Sequence, residues 1–448
     1  MLRCVRLLAT ATFLLGSGCA GHAAQTQAAR TALDAGQPKQ ALAELNNKLG
    51  VKRAEDVPAD IKNDKVLFAL DRSMVLMQLG RYDLASRDLE LGDKQLIVLD
   101  FSHGAKDDLG KYLFSDDTGP YRAPAYEKLL VNTLNMLSYL ARGNLEGARV
   151  EARRMSVLTD YFKNTGEASK AFVAPGSYLA GFVFEKSGQA DEALRYYDEA
   201  LARAKFTTLD EPVARLAARG SFRSPRLEEA ISRSTASTSA PADSAEDSAD
   251  LLVVVNYGRV PAKNAERVPI GLALTYASGF ISPYDAGRAN RLAAQGLVTW
   301  VNYPSLGRAK GQSATPSFGL DGRLQPLDGA LAVDVAAQKA WDEVRGQVVA
   351  SAITRMVARV VAGEVVRQST KDSVVGLLLS LGTQATLTAV DTPDTRSWST
   401  LPARIAIGRV KVKPGTHLVE LDVRGDRLSQ KITVKPGGWA VVAHTVLR

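Results

Sequence analysis

The chain has 448 residues, 46% of them hydrophobic and 23% charged, a balance that fits two to three globular domains. Its formal net charge of +8 favours anionic neighbours such as phospholipid, lipopolysaccharide or peptidoglycan carboxylates, but the basic residues are dispersed, with no dense Lys/Arg run beside aromatics, which argues against a nucleic-acid partner. The only cysteines are Cys4 and Cys19, so no disulfide can hold the folded part together.

Residues 1–18 carry Arg3 and Arg6, then a short apolar run ending in small residues before Cys19. That is the pattern of a secretory signal, with a core too short to span a membrane. Gly18-Cys19 resembles the lipobox of bacterial lipoproteins, with Gly16 where Leu is usual and Leu15 one place early. The resemblance implies that Cys19 becomes the lipidated first residue of the mature chain, held by covalent acyl chains. Ala20, and not Asp, follows it, which implies delivery to the outer membrane of a Gram-negative cell, facing the periplasm. The alternative is cleavage after Ala23 or Ala24, which discards Cys19.

From residue 24 to 216 the pattern is of paired helices. Gly36, Gly80, Gly143 and Gly188 are each followed five residues later by alanine: Ala41, Ala85, Ala148 and Ala193. Glycine suits the left-handed turn that ends a helix, and the alanine lets two helices approach. In 176–206, Leu179, Phe182 and Val183 share one helix face, and Ala193, Leu194, Tyr197 and Leu201 share another. The glycines are 44, 63 and 45 residues apart, whereas a tetratricopeptide unit is about 34 residues. The units therefore resemble tetratricopeptide repeats separated by insertions, the largest being the Gly/Asp/Pro-rich stretch 103–124. Such stacks usually bind a protein on their concave face, and Arg149, Arg153 and Arg195 are the candidate repeat-face contacts. Residues 223–250 turn rich in Ser, Ala, Asp and Pro and read as a flexible linker.

Residues 251–255 read as a buried strand, 268–276 and 297–303 as further strands, and 305–330 as loop. Residues 333–368 form the longest helix. The stretch 373–390 has eighteen residues and no charge, and is expected to fold back on that helix or to touch a membrane or a second copy. Asp391, Asp394, Arg396 and Trp398 lie in a polar connector; they are candidates for partner binding or for stapling a domain junction. The last 46 residues are β, with Pro-Gly at two strand ends, Val412-Lys413-Pro414-Gly415 and Val434-Lys435-Pro436-Gly437. They resemble the small β-sandwich module named for its Pro-Glu-Gly-Ala motif.

The signal, the turns at 80–85 and 188–193, the 256–261 segment and the 394–398 segment together resemble a broad family of bacterial lipoproteins with tetratricopeptide-like repeats. The resemblance implies an accessory part of an envelope assembly. No catalytic constellation, metal site or cofactor motif accompanies it. His22 falls in the tether and His103 in a loop, His417 and His444 fall in the C-terminal strands, and the acids Asp107, Asp108, Asp116 and Asp117 lack the alternation of a calcium loop.

The expectation is therefore an α+β protein: a signal at 1–18, a helical repeat domain at 19–222, a linker at 223–250, an α+β domain at 251–402 with a helical hairpin at 333–390, and a β module at 403–448. The expected function is that of a non-enzymatic outer-membrane lipoprotein with no cofactor beyond its lipid. It would scaffold an envelope assembly through envelope proteins, with a homo-oligomer as a further possibility. The alternative is a regulator of a peptidoglycan synthase, or a pilot lipoprotein for a secretion or surface-assembly pore.

Overall fold

The computed structural model describes residues 22–62, 64–101, 121, 123–162, 170–237, 248–296, 298–307, 314–369 and 393–448. The signal, Cys19, His103, the four acids of the 103–124 stretch, residues 373–390 and Asp391 lie outside them. The fold is α+β, with helices mainly in the N-terminal part and strands in the C-terminal part.

A short helix α1 (His22–Gln25) leads into helical hairpins: α2 (Gln27–Asp34) with α3 (Pro38–Leu49), α4 (Lys65–Gln78) with α5 (Tyr82–Phe101), α6 (Ala125–Ala141) with α7 (Leu145–Tyr161), and α8 (Val173–Lys186) with α9 (Ala190–Leu201). The four turn glycines have φ between 71° and 75°. At Gly188 the turn closes with Gly188 N–H on Glu185 O at 3.0 Å and Gln189 N–H on Phe184 O at 2.9 Å, the double bond of a Schellman turn. The same pair recurs at Gly36, Gly80 and Gly143. Ala41, Ala85, Ala148 and Ala193 are each completely buried, as their spacing predicts.

Residues 223–250 are not a linker throughout. Residues 225–237 form a helix, α11 (Pro225–Ser237), packed on α10 (Asp210–Ala217). Leu227 and Ala230 are buried and Ile231 packs beside them. This three-and-four spacing is an apolar stripe that the Ser/Ala-rich composition hides.

The C-terminal part holds two four-stranded sheets. One runs β10 (Trp439–Val446), β1 (Ala249–Tyr257), β7 (Arg404–Val412), β6 (Asp328–Ala332); the other runs β5 (Arg323–Pro326), β4 (Ser317–Leu320), β8 (Gly415–Val423), β9 (Asp426–Val434). β10 lies parallel to β1, and β7 antiparallel to it. β1 alternates in the way a doubly covered strand must. Leu252 and Val254 join the core shared with the helices, whereas Leu251, Val253 and Val255 join the core between the sheets. The molecule is thus layered as helices, first sheet, second sheet.

Two expectations change here. Position 402/403 is not a boundary, because β7 and β10 flank β1 in one sheet and β8 pairs with β4. Nor is 305–330 a loop: β4 and β5 form a hairpin across Asp321-Gly322, both with positive φ, the Asp-Gly signal of a tight two-residue turn.

A small lobe is inserted between β1 and β6. It comprises the hairpin β2 (Lys263–Pro269) with β3 (Trp300–Leu306) and helices α12 (Ile270–Tyr276) and α13 (Pro283–Ala294), and it packs on the stretch from Trp341 to Val357 of α14 (Val333–Ser369), which follows β6. Residues 270–276, expected to continue a strand, are helical. Pro269 caps the start, and Ile270, Ala273 and Ala277 are buried at helical spacing. The long helix is present as α14, 37 residues.

Candidate functional site at the helix–sheet junction

The concave face of the helical array is covered by the protein's own sheet. α4 and α6 pack on β10, and α8 packs on β6. Each of these inner helices is buried nearly all round; in α4 every residue from Val66 to Met77 is buried. A helix whose apolar residues run right round it, interrupted by bonded polar groups such as Asp71 and Arg72, must be covered on every side, and here the covers are its hairpin partner and the sheet.

Three polar clusters lock this junction. In the first, Asp71 of α4 accepts from Thr400 N–H at 3.0 Å and Thr400 Oγ1 at 2.8 Å. Glu127 of α6 accepts from Trp398 N–H at 3.2 Å and from the Tyr121 hydroxyl at 2.5 Å, and burial pushes its carboxyl above the usual range. Arg396 holds Asp394 with two bonds, Nε at 2.8 Å and Nη2 at 2.9 Å, and reaches Asp64 at 3.0 Å. Burial alone would lower the Arg396 pKa, but these carboxylates raise it. The ring beneath Arg396 is Tyr121, 5.9 Å away, and not Trp398. Trp398 is completely buried, and its Nε1 has no hydrogen-bond partner among the described residues. Asp394, Arg396 and Trp398 therefore staple the junction, out of reach of a docking partner.

In the second cluster, Arg409 of β7 is buried against α8. It donates to Glu185 at 2.8 and 2.5 Å, to Asp250 at 3.0 Å and to the Tyr197 hydroxyl at 3.0 Å. Arg215 also reaches Glu185 at 2.8 Å, and Lys186 and Lys411 reach Asp250. Burial opposes charge on Glu185, yet Arg409, Lys186 and Arg215 hold it well below the usual carboxylate range. Asp250 is likewise held at about 2, chiefly by Arg409 and Lys186 against burial.

The third set caps edges. The Tyr82 hydroxyl donates to Ala443 O at 2.5 Å, Leu447 N–H to Gln78 Oε1 at 3.3 Å, and Arg259 to Asp34 at 2.8 Å.

The arginines expected on the repeat face lie on the outer helices. Arg149 pairs with Glu146 one turn away, Arg153 is exposed, and Arg195 lies over the Phe222 ring at 4.5 Å. None lines the concave side, because α7 and α9 are the outer members of their hairpins. His22 is not in a tether: it is buried, stacked on Phe68 at 5.0 Å and 3.5 Å from Asp71. His417 pairs with Asp321 at 2.6 Å, and His444 lies 3.3 Å from Asp426. Among the described residues no cluster of three or more His, Cys, Asp or Glu could hold a metal ion.

An open groove of about 660 Å³ runs along the second sheet, lined by Ser317, Gly319, Leu324, Glu420, Arg424 and Arg427 among others. The sequence signal for part of it was the Asp-Gly turn, which brings β5 with Leu324 alongside β4; the pairing of β4 with β8 is long-range.

No family model matches the chain, and neither a curated protein nor a solved structure does so.

Proposed function

We propose that this chain is a non-enzymatic lipoprotein of the bacterial outer membrane, anchored by acyl chains on Cys19, that scaffolds an envelope assembly. The observation that carries the scaffold reading is the open groove on the second sheet, because the junction between helices and sheet is closed. With Arg409, Glu185, Asp250, Asp71 and Arg396 buried between array and sheet, the described helices present no open concave face. The protein docks its partner elsewhere, and the groove beside Leu324 and Arg427 is the surface we assign to an extended segment of an envelope protein. Its exposed Leu324 offers an apolar contact, and Glu420 and Arg424 offer polar ones.

The test is in-cell photocrosslinking from positions 324 and 427, with 153 and 195 on the outer helices as comparison. One dominant envelope protein trapped from the groove positions is the expected result. Adducts from 153 and 195 alone would move the docking surface to the outer helices, and adducts from none of the four would remove the scaffold reading.

A further inference from the structure

The small lobe has its own core of Val268, Ala273, Val301, Trp341, Val349 and Ile353, but its exterior is not that of an ordinary soluble surface. Leu272 is 41% exposed, Phe280 51%, Tyr284 66% and Trp300 41%. Four large apolar side chains thus stand in solvent within residues 270–300. Scattered apolar residues need no explanation, but a group of them marks a contact surface.

Arginines accompany the rings. Arg267 lies over Trp300 at 5.3 Å, Arg345 over Tyr276 at 5.2 Å, and Arg288 over Tyr284 at 5.7 Å while donating to its hydroxyl at 2.7 Å. Significant cation–π pairs occur about once per 70–80 residues, so three in one lobe is a concentration. Packing joins these residues. Trp300 pairs with Pro269 across the hairpin, and Ile270 N–H donates to Thr299 O at 3.0 Å, which sets the first turn of α12 beside it. Phe280 lies on Gly346 of α14, where a Cβ would come within 2.5 Å of its ring and 3.0 Å of Tyr276 O.

Most local carboxylates are engaged within the lobe, and Glu343 of α14 is exposed. Asp285 is bonded to Ser282 at 2.7 Å, Glu266 to the Tyr303 hydroxyl, and Asp342 lies 3.9 Å from Arg345. Over 263–296 the sequence places Lys263, Arg267, Arg288 and Arg291 against Glu266 and Asp285. The surface is cationic and aromatic. Tyr and Trp have an apolar body and a polar edge, which is why they collect at the headgroup level of membranes, and each Lys or Arg near an anionic leaflet adds to the attraction.

The chain path points to the same occupant, a consideration that rests on the lipid anchor proposed above. Two residues, Ala20 and Gly21, separate Cys19 from His22, three Cα steps with a reach of at most about 11 Å. His22 is 3.5 Å from Asp71, Asp71 binds Thr400, and Ser397 of that same segment accepts from Lys263 N–H at 3.5 Å, the first residue of β2. The described chain therefore begins, at His22, beside the segment that also holds the root of the lobe.

We propose that the lobe built from β2, β3, α12 and α13 is a second, non-covalent membrane contact. It seats Leu272, Phe280, Tyr284 and Trp300 among anionic phospholipid headgroups, with Arg267 and Arg288 on their phosphates. Acyl chains then fix the protein to the bilayer, and the lobe fixes its orientation.

The test uses the chain from residue 19 onward carrying Cys19→Ser, so that no acyl chain contributes, and vesicles of phosphatidylglycerol with phosphatidylcholine or of phosphatidylcholine alone. The expected result is co-sedimentation with the anionic vesicles only, weakening as salt rises. Arg267→Glu with Arg288→Glu should lower the partition coefficient at least tenfold, and Arg153→Glu with Arg195→Glu on the outer helices should not change it. Bromine-labelled lipid should quench tryptophan fluorescence, and Trp300→Phe should abolish that quenching with an unaltered melting curve. Equal loss in the two charge-reversal pairs would mean that net charge alone drives binding, and would overturn the proposal. Absence of binding would overturn it too, as it would if residues 373–390 of the same chain cover this face. Neither failure touches crosslinking from positions 324 and 427, so the two proposals fall separately.

Discussion

The inner and outer helices of the array are buried differently. α8 buries every residue from Val173 to Glu185. Its partner α9 buries only Ala193, Leu194, Tyr196, Tyr197 and Ala200, and leaves Glu192 and Arg195 in solvent. An outer helix has one interface and needs one apolar stripe, whereas an inner helix lies between its partner and a sheet and needs apolar residues all round. In a helical repeat array, an inner helix without a polar face reports that the concave side is already covered.

The largest effect expected from this contrast comes from the ions at the inner interface. Arg409→Met leaves Glu185 and Asp250 buried without their main partner, and removing one member of a buried pair costs about 3–5 kcal/mol. Urea unfolding should show that loss, and a midpoint within experimental scatter of wild type would break the comparison. Crowding comes next. Gly176 lies where a Cβ would meet Met155 Sδ at 2.1 Å and Thr133 Oγ1 at 2.6 Å, so Gly176→Val should cost on the order of 2–3 kcal/mol by overpacking.

Acid and base should act on the inner junction and the outer helices with opposite sign. Asp250, at the inner junction, is held at about 2 against about 3.9 for a free carboxylate. Its contribution is present above the unfolded value and is lost as pH falls through 4 towards 2, on the order of 2 kcal/mol. Glu151, on the outer helix α7, is pushed up to about 7 by burial, with Asp93 and Glu90 adding repulsion that Arg154 only partly offsets. Its contribution is present below about pH 4.5 and is lost as pH rises through 7, on the order of 3 kcal/mol. Thermal midpoints should climb between pH 8 and 5.5 and drop below 4. A climbing limb that survives in Glu151→Gln would show that another group carries it.

The turn glycines sharpen the comparison at lower amplitude. At Gly143 a Cβ meets nothing within 4 Å, but φ is +71°, so Gly143→Ala should cost about 1 kcal/mol from the backbone alone. Smallest is Arg195→Ala on the outer face, within about 0.5 kcal/mol.

Much of this fold could be read from the sequence where the determinants are local. The glycine turns, the doubly apolar strand at 251–255, the long helix from Val333 and the alternation of β8 all follow from spacing within a few residues. What escaped was non-local or masked by composition. The order of β10, β1, β7 and β6 is set by partners up to nearly two hundred residues apart, such as Asn256 and Thr445. The Ser- and Ala-rich run from 225 hid a three-residue stripe. Asp394, Arg396 and Trp398 could be chosen from the connector as a group, but only the position of α4 and α6 shows that they close a junction. The signal that was present and went unread is the apolarity of α4, α6 and α8 on all sides.

The parallel pairing of β1 with β10 has a consequence in time. A chain delivered from its N-terminus supplies α4, α6 and α8 first, and the strand that covers α4 and α6 arrives only after some 280 further residues, from Tyr161 at the end of α7 to Val446 at the end of β10. Through that interval the most apolar surfaces of the molecule have no lid. Any cell that makes this chain must shield them until the final strand slots in, which makes its folding a matter of escort as much as of sequence.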